Sequence, residues 1–313
     1  MGELTPQLLG LQLVTGIALG AVYALLAVGL SLIFGMLTVV NFAHGAFFMV
    51  GAFLGIYFQT LTGSFALSLV ITPLVVGSIG MLSERFLVRP LYGRGIDYPL
   101  LLTFGLSYVL IELMRVLFGI EGLPSSTPAA LRGSVDLGIG RFPLYRLVLI
   151  GATATVVMGL WLVIEKTRFG LIIRAGSRDP EIVRVLGVDV AKVWLLVFGL
   201  GTAIAGLSGV LAAPTRAVNP EMGITVLAES FVVTVVGGMG SLMGAVVAGL
   251  LVGVVFSMTS LLAPEFAELS IFVLMALVLL VRPQGLFGIR DELGLARLSP
   301  QPPRGRPARP ARQ

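Results

Sequence analysis

Polar and ionisable side chains placed inside long apolar runs are the groups in this sequence best placed to do chemistry. In VVNFAHGAFFMVGAF, residues 39–53, Asn41 and His44 stand three residues apart, and His44 is the only histidine. If the run lies in a membrane, Asn41, His44 and the adjacent Gly45 are candidates for direct contact with a solute or for a gate. The structural alternative is a polar turn in which Asn41 caps a helix and the imidazole satisfies backbone or loop carbonyls. A second set lies in AESFVVTVVGGMGS, residues 228–241: Glu229, Ser230, Thr234, Gly237, Gly238, Gly240 and Ser241. A carboxylate at the start of a half-helix is favoured by the helix dipole. Its functional reading is contact with a substrate ammonium group or a proton site. The contiguous glycines suit either a flexible hinge or a backbone-lined path.

The elements that must hold these groups follow from composition. Of 313 residues, 57% are hydrophobic and 12% charged, and the mean hydropathy is +1.01. A soluble globule would lack the polar surface to cover such a chain, so it reads as an all-α polytopic membrane protein. Apolar segments near 8–34, 38–58, 66–84, 98–118, 144–164, 193–213 and 267–281, with an interrupted stretch 226–260, predict a bundle of about eight spans plus a short broken or re-entrant helix. Opening MGELTPQ lacks the basic region of a secretory signal, so the first segment is expected to be a retained span. Small residues at four-residue spacing (Gly16 and Gly20; Gly201, Ala205 and Gly209; Ser241, Ala245, Gly249 and Gly253) predict close helix packing.

Basic residues set the orientation. Arg85, Arg89 and Arg94 fall in one connection; Lys166, Arg168, Arg174, Arg178, Arg184 and Lys192 in another; seven arginines lie at or near the C-terminus. The positive-inside bias places these in the cytoplasm, with the N-terminus outside and the C-terminus cytoplasmic. That parity requires 226–260 to go in and come back out: a half-helix, a glycine turn at depth, and a full helix from Ser241. Residues 35–45 then fall at the cytoplasmic end of the first span. Glu112 and Arg115 form an i, i+3 pair near an outer end. The turn-rich loop 119–142 is an external cap or docking surface. Residues 1–290 are expected to form one transmembrane domain, and the Pro/Arg-rich tail 291–313 to be disordered and to touch lipid headgroups rather than nucleic acid.

In GSRDPEIVRVLGVD, Asp179 suits an N-cap, Pro180 the first helical position, Glu181 the positive dipole end, and Gly187 the left-handed position that ends a helix. A helix of about two turns is unstable alone in water and must pack on something. Ile182, Val183 and Leu186 give it an apolar face flanked by Arg178 and Arg184. Three surfaces could bury that face: a lipid interface, the protein's own bundle, or a groove on a partner.

NFAHG after a long apolar helix, RAGSRDPEIVRVLGVDVAKV, VVGGMGSLMGAVVAGL and the closing VRPQGLFG, in this order, resemble the LivH-type membrane permeases of branched-chain (hydrophobic) amino-acid ABC importers. The resemblance spans about Leu8 to Gly288. It implies a multi-pass protein of the bacterial plasma (inner) membrane that is not itself an enzyme. Its implied partners are two cytoplasmic ATP-binding subunits, a sister permease and an extracytoplasmic substrate-binding protein. It also implies that segment 165–192 carries, at Asp179 to Gly187, the helix that docks on the ATPase. The sequence has no G-x-x-x-x-G-K-[ST] phosphate loop, so ATP would be hydrolysed in trans. Zero cysteines exclude thiolate metal sites, and no clustered aspartates or histidines call for a metal or other cofactor. An aliphatic zwitterion needs apolar walls and a few neutral hydrogen-bond partners, which Asn41, His44, Ser230, Thr234 and Ser241 could supply. Two rivals remain: an ABC permease for urea or short amides, and a secondary transporter with His44 and Glu229 as a proton pair. At Ala46, directly after NFAHG, many relatives carry an acid.

Overall fold

The computed structural model describes residues 5–95 and 97–288. Eight helices among them are long and apolar enough to cross a membrane. In chain order the helices are α1 (Pro6–Leu37), α2 (His44–Thr62), α3 (Phe65–Ser83), α4 (Asp97–Phe118), α5 (Leu144–Lys166), the short α6 (Arg168–Arg178) and α7 (Pro180–Val185), α8 (Val190–Ala212), α9 (Met222–Gly237), α10 (Leu242–Leu262) and α11 (Ala267–Val281). A short hairpin, β1 (Ser134–Asp136) with β2 (Arg141–Pro143), lies between α4 and α5. The 291–313 tail expected from composition lies outside the described residues.

α1 is apolar on every side, and a helix of that kind belongs at the centre of a bundle. Its 32 residues extend about 48 Å, more than a bilayer core. Against it, α10 runs antiparallel, Gly16 beside Val254 and Gly35 beside Gly240. The contact is backbone to backbone: a Cβ on Gly253 would lie 2.3 Å from the Gly20 Cα, and one on Gly249 would lie 2.5 Å from the Ala24 Cα. The small-residue spacing seen in the sequence therefore serves close approach. Gly206 and Gly209 of α8 meet α2 in the same way. Leucines and valines of α3, α4 and α11 remain exposed on the bundle's perimeter, where lipid covers them.

Four expectations about position need correction. α2 starts at His44, not residue 38, and 38–43 is irregular backbone. NFAHG does not sit at the end of the first span. The His44 ring reaches the carbonyl of Leu26, eleven residues before Leu37, or about 16 Å back along the α1 axis. Gly45 packs against Gly223 in the first turn of α9, and Gly29 lies between His44 and Gly201, midway along α8. The chain leaves α1, folds back into the bundle, and begins α2 at mid-depth.

The interrupted stretch differs in the complementary way. α9 starts at Met222 rather than 226, so its 16 residues begin at mid-depth and Glu229 lies in its middle rather than at its start. Its glycine turn is not deep: Gly240 sits against Gly35 near the end of α1, and Met239 is 50% exposed. Gly238 and Gly240 adopt positive φ, at 99° and 85°, conformations open to glycine. The closing segment clasps this turn, Leu286 N donating to Val236 O (2.8 Å) and Phe287 N to Gly237 O (3.0 Å).

Candidate functional site

At the Leu37 end of the bundle, α6 and α7 form a helical pair between α5 and α8. The Asp179 carboxylate accepts from the backbone N–H of Glu181 and Ile182, both at 3.0 Å, satisfying two orphan donors of α7. At the other end Gly187 has φ 85° and Val188 N donates to Val183 O, a Schellman-type stop. Pro180, Glu181 and Arg184 fall within this helix, with Arg178 before it. The apolar residues divide differently from the sequence expectation. Val183 is turned inward and 6% exposed, so it anchors the helix rather than forming its free face. Ile182, Val185 and Leu186 are 59%, 87% and 76% exposed and form an outward ridge at i, i+3, i+4. Val185 was missed because alternative readings of so short a helix leave two faces open. α6 was missed as well, its helical pattern broken by Gly170 and Gly176.

An ion pair with a fully buried carboxylate supports this pair of helices. Glu84, with no exposed side-chain surface, accepts from Arg89 at both oxygens (3.1 and 2.7 Å) and from the Tyr92 hydroxyl (3.2 Å). Arg89 also donates to the Ala191 carbonyl at the start of α8 (3.0 Å), and Tyr92 meets Trp194 edge to face at 4.9 Å. The connection after α3 is thereby fastened to the residues that follow α7. At the α8 start, the Lys192 backbone N–H holds the Asp189 carboxyl below its ordinary value, and Asp189 caps the helix. A cavity of about 570 Å³ opens here, lined by Leu37, Thr38, Tyr92, Ser177, Pro180 and Trp194.

At mid-depth, Asn41 and His44 are fully buried. Asn41 does not cap α2, whose N-cap is Ala43; its Oδ1 instead accepts from Ala43 N (3.1 Å) while its carbonyl accepts from His44 N (3.1 Å). Phe42 N donates to Thr103 Oγ1 of α4 (3.1 Å). Irregular backbone at this depth is tolerated because protein groups satisfy it. His44 Nε2 pairs with Leu26 O at 3.0 Å; His44 Nδ1 and Asn41 Nδ2 find no partner among the described residues. In α9 and at its turn the hydroxyls serve their own backbone: Ser230 donates to Leu227 O, Thr234 to Ser230 O, and Ser241 caps α10 by accepting from Gly244 N. Gly237 packs on Gly244.

Glu229 has a partner that sequence spacing did not reveal. Arg216, in the connection before α9, donates to both its oxygens at 2.9 Å and to the Tyr23 hydroxyl at 3.2 Å. Glu229 and His44 thus bond to Arg216 and Leu26, not to each other. The Glu112–Arg115 pair extends to Glu221, 2.7 Å from Arg115, which holds the Glu221 carboxyl below its ordinary value. In the 119–142 connection, Leu123 N bonds Val218 O (2.9 Å), tying that connection to the one leading into α9.

Comparison with known proteins places this geometry. Residues 12–282 match the family described as branched-chain amino acid transport system, permease component. The chain is 32% identical over 297 residues to the high-affinity branched-chain amino acid transport system permease protein BraD of Pseudomonas aeruginosa, covering 88% of this chain and 95% of BraD. It is 29% identical over 293 residues to the corresponding LivH of Salmonella typhimurium, covering 88% and 94%. Among solved structures, PsaBC from Streptococcus pneumoniae in complex with Fab matches with a TM-score of 0.50 at 15% identity, covering 94% of this chain and 96% of that one. That likeness speaks to the fold alone.

Proposed function

This chain belongs to the family of branched-chain amino acid transport permeases, and from that premise we propose that it carries branched-chain or other hydrophobic amino acids into the cell while separate subunits hydrolyse ATP. The Pro6 end of the bundle faces outward and the Leu37 end, with α6, α7 and most basic residues of the connections, faces the cytoplasm. Segment 165–192 is the coupling segment. Its partners are two ATP-binding subunits below, a sister permease alongside, and a substrate-binding protein outside.

One observation carries this reading: α7 is capped at both ends, anchored by Val183, and directs Ile182, Val185 and Leu186 away from its own bundle. A two-turn helix spends an apolar ridge outward when a partner's groove receives it. Deep polar groups have neutral chemistry suited to a gate: His44 and Asn41 at mid-depth, with Gly45 against Gly223 forming a tight closure beside them.

The test is reconstitution with the ATPase, sister permease and binding protein in proteoliposomes. ATP-dependent leucine uptake that an uncoupler does not reduce supports import by this mechanism. Uptake that follows a proton gradient without ATP would contradict it, and uptake of urea or short amides in place of leucine would move the substrate class.

A further inference from the structure

The connection between α8 and α9, residues 213–221, runs from the Pro6 end of the bundle to the start of α9 at mid-depth. Two sets of bonds make it one piece with that start. Arg216 donates through Nη2 to both oxygens of Glu229 at 2.9 Å, and the Glu229 side chain is only 11% exposed. Asn219 accepts from Met222 N with its Oδ1 at 2.9 Å and with its carbonyl at 3.3 Å. Separating the ion pair would strand a charge in a buried place, so the connection and the first two turns of α9 move together.

Ties from this piece to its neighbours are of a weaker kind. Leu123 and Val218 form an isolated antiparallel bridge closed by one bond, Leu123 N to Val218 O at 2.9 Å. Glu221, its side chain 58% exposed, meets Arg115 of α4 at 2.7 Å. Tyr23 of α1 takes one hydrogen bond from Arg216 at 3.2 Å. A lone backbone bond and an exposed ion pair part at little cost beside a buried pair. Next to Thr215 and Arg216 lies a cavity of about 340 Å³, walled opposite by Thr15 and Leu19 of α1 and Leu149 of α5, so the connection also borders open space.

The inner end of the piece is the mid-depth closure. A Cβ on Gly45 would lie 2.1 Å from the Gly223 carbonyl oxygen and 2.7 Å from Leu227 N, so backbone meets backbone there. No solute passes such a contact unless the start of α9 withdraws. The other end of α9 is clasped by Leu286 and Phe287, which leaves the end joined to the connection as the one free to move. Beside the closure, His44 Nδ1 and Asn41 Nδ2 have no partner among the described residues, two polar groups that gain partners when the contact parts.

We propose that residues 213–221 and the first two turns of α9 form a lever. Its handle is Val218 and Glu221 against the 119–142 connection and α4, and its tip is Gly223 against Gly45, so displacement at the Pro6 surface opens the mid-depth closure. The proposal rests on the import reading, which places the Pro6 end outside and the gate at Asn41, His44 and Gly45. Glu229 then joins Arg216 to α9 and stiffens the lever, rather than holding a substrate ammonium group or a proton.

The chain has no cysteine, so Leu123→Cys with Val218→Cys can be cross-linked without competing thiols in this subunit. Residues directly opposite in an antiparallel pair stand about 4.5–5.5 Å apart at Cα, inside the roughly 4.4–6.8 Å that a disulfide spans. In the assembled complex in proteoliposomes, the reduced double variant should import leucine near the wild-type rate and the oxidised one at least ~10-fold more slowly. The oxidised complex should still capture leucine-loaded binding protein, and each single variant should be indifferent to oxidant. Reduced and oxidised samples are the same folded polypeptide, so a loss confined to the oxidised state reports blocked motion. Wild-type uptake in protein shown by peptide mass spectrometry to be fully cross-linked would overturn the proposal. Equal loss in the reduced state would overturn it too, as would loss of binding-protein capture on oxidation, which would make the seam a docking surface only. Failure of the wild-type complex to import leucine at all would sink the import reading itself, a distinguishable result.

Discussion

Arg89 grips the buried carboxylate of Glu84 with two nitrogens and reaches the Ala191 carbonyl with one of them, so one ion pair spans from the end of α3 to the start of α8. Removing one partner of a buried pair leaves the other charge uncompensated, at about 3–5 kcal/mol. Arg89→Met, which strands the fully buried Glu84 carboxylate, should therefore lower thermal stability in detergent markedly, and Arg89→Met with Glu84→Leu should recover much of it. A double variant as unstable as the single one would show that the pair's specific geometry, not the stranded charge, matters.

The Asp179 cap makes a local prediction. Asp179→Ala should cost about 1 kcal/mol of helix stability. Amide hydrogen exchange should quicken at Glu181 and Ile182, whose N–H groups the carboxylate accepts, and remain unchanged in α6. Unchanged exchange at those two amides would mean that Pro180 and packing of Val183 suffice to hold α7.

Backbone contact between α1 and α10 leaves no room for a side chain. Gly253→Leu places branched carbons where the Gly20 backbone lies, 2.3 Å from an added Cβ, and neither wall is a flexible side-chain end. Overpacking of this kind costs about 1–3 kcal/mol or more. Reduced yield of folded protein on size exclusion is expected, whereas Leu251→Ala on the exposed side of α10 should leave it unchanged. Normal folding of Gly253→Leu would show that the two helices can separate without penalty.

His44 is read as a neutral gate element bonded to the Leu26 carbonyl. His44→Gln, which can keep that bond, should retain most uptake, while His44→Leu should lose it. Equal loss in both variants, together with uptake abolished by an uncoupler, would favour proton carriage instead.

Much of this arrangement was legible in the residue order, and the failures have physical causes. Apolar run length located the spans, because a bilayer fixes how long such runs must be. The Asp179-Pro180 start and Gly187 stop of α7 were legible because caps are local. The depth of NFAHG was not, since TVVNF is as apolar in irregular backbone as in helix, and only contact with Leu26 and Thr103 reveals that it folds back. Arg216 looked like a loop residue because its partner Glu229 lies beyond a turn and a helix start. The clasp of residues 286 and 287 on the GGMGS turn is likewise non-local, although both segments stood out as motifs. Val183 and Val185 exchanged faces because two turns of helix offer too few residues for periodicity to decide.

The most direct test of the account concerns the outward ridge of α7. Ile182→Asp with Leu186→Asp keeps Asp179, Val183 and Gly187, so α7 can still form and anchor. With purified ATPase subunits, the doubly substituted permease should lose capture of the ATPase and substrate-stimulated ATP hydrolysis by at least ~10-fold, as expected for anchors at the centre of an interface, while its thermal stability holds. Wild-type capture and wild-type stimulated hydrolysis in that variant would contradict the claim that α7 transmits ATP hydrolysis to this bundle.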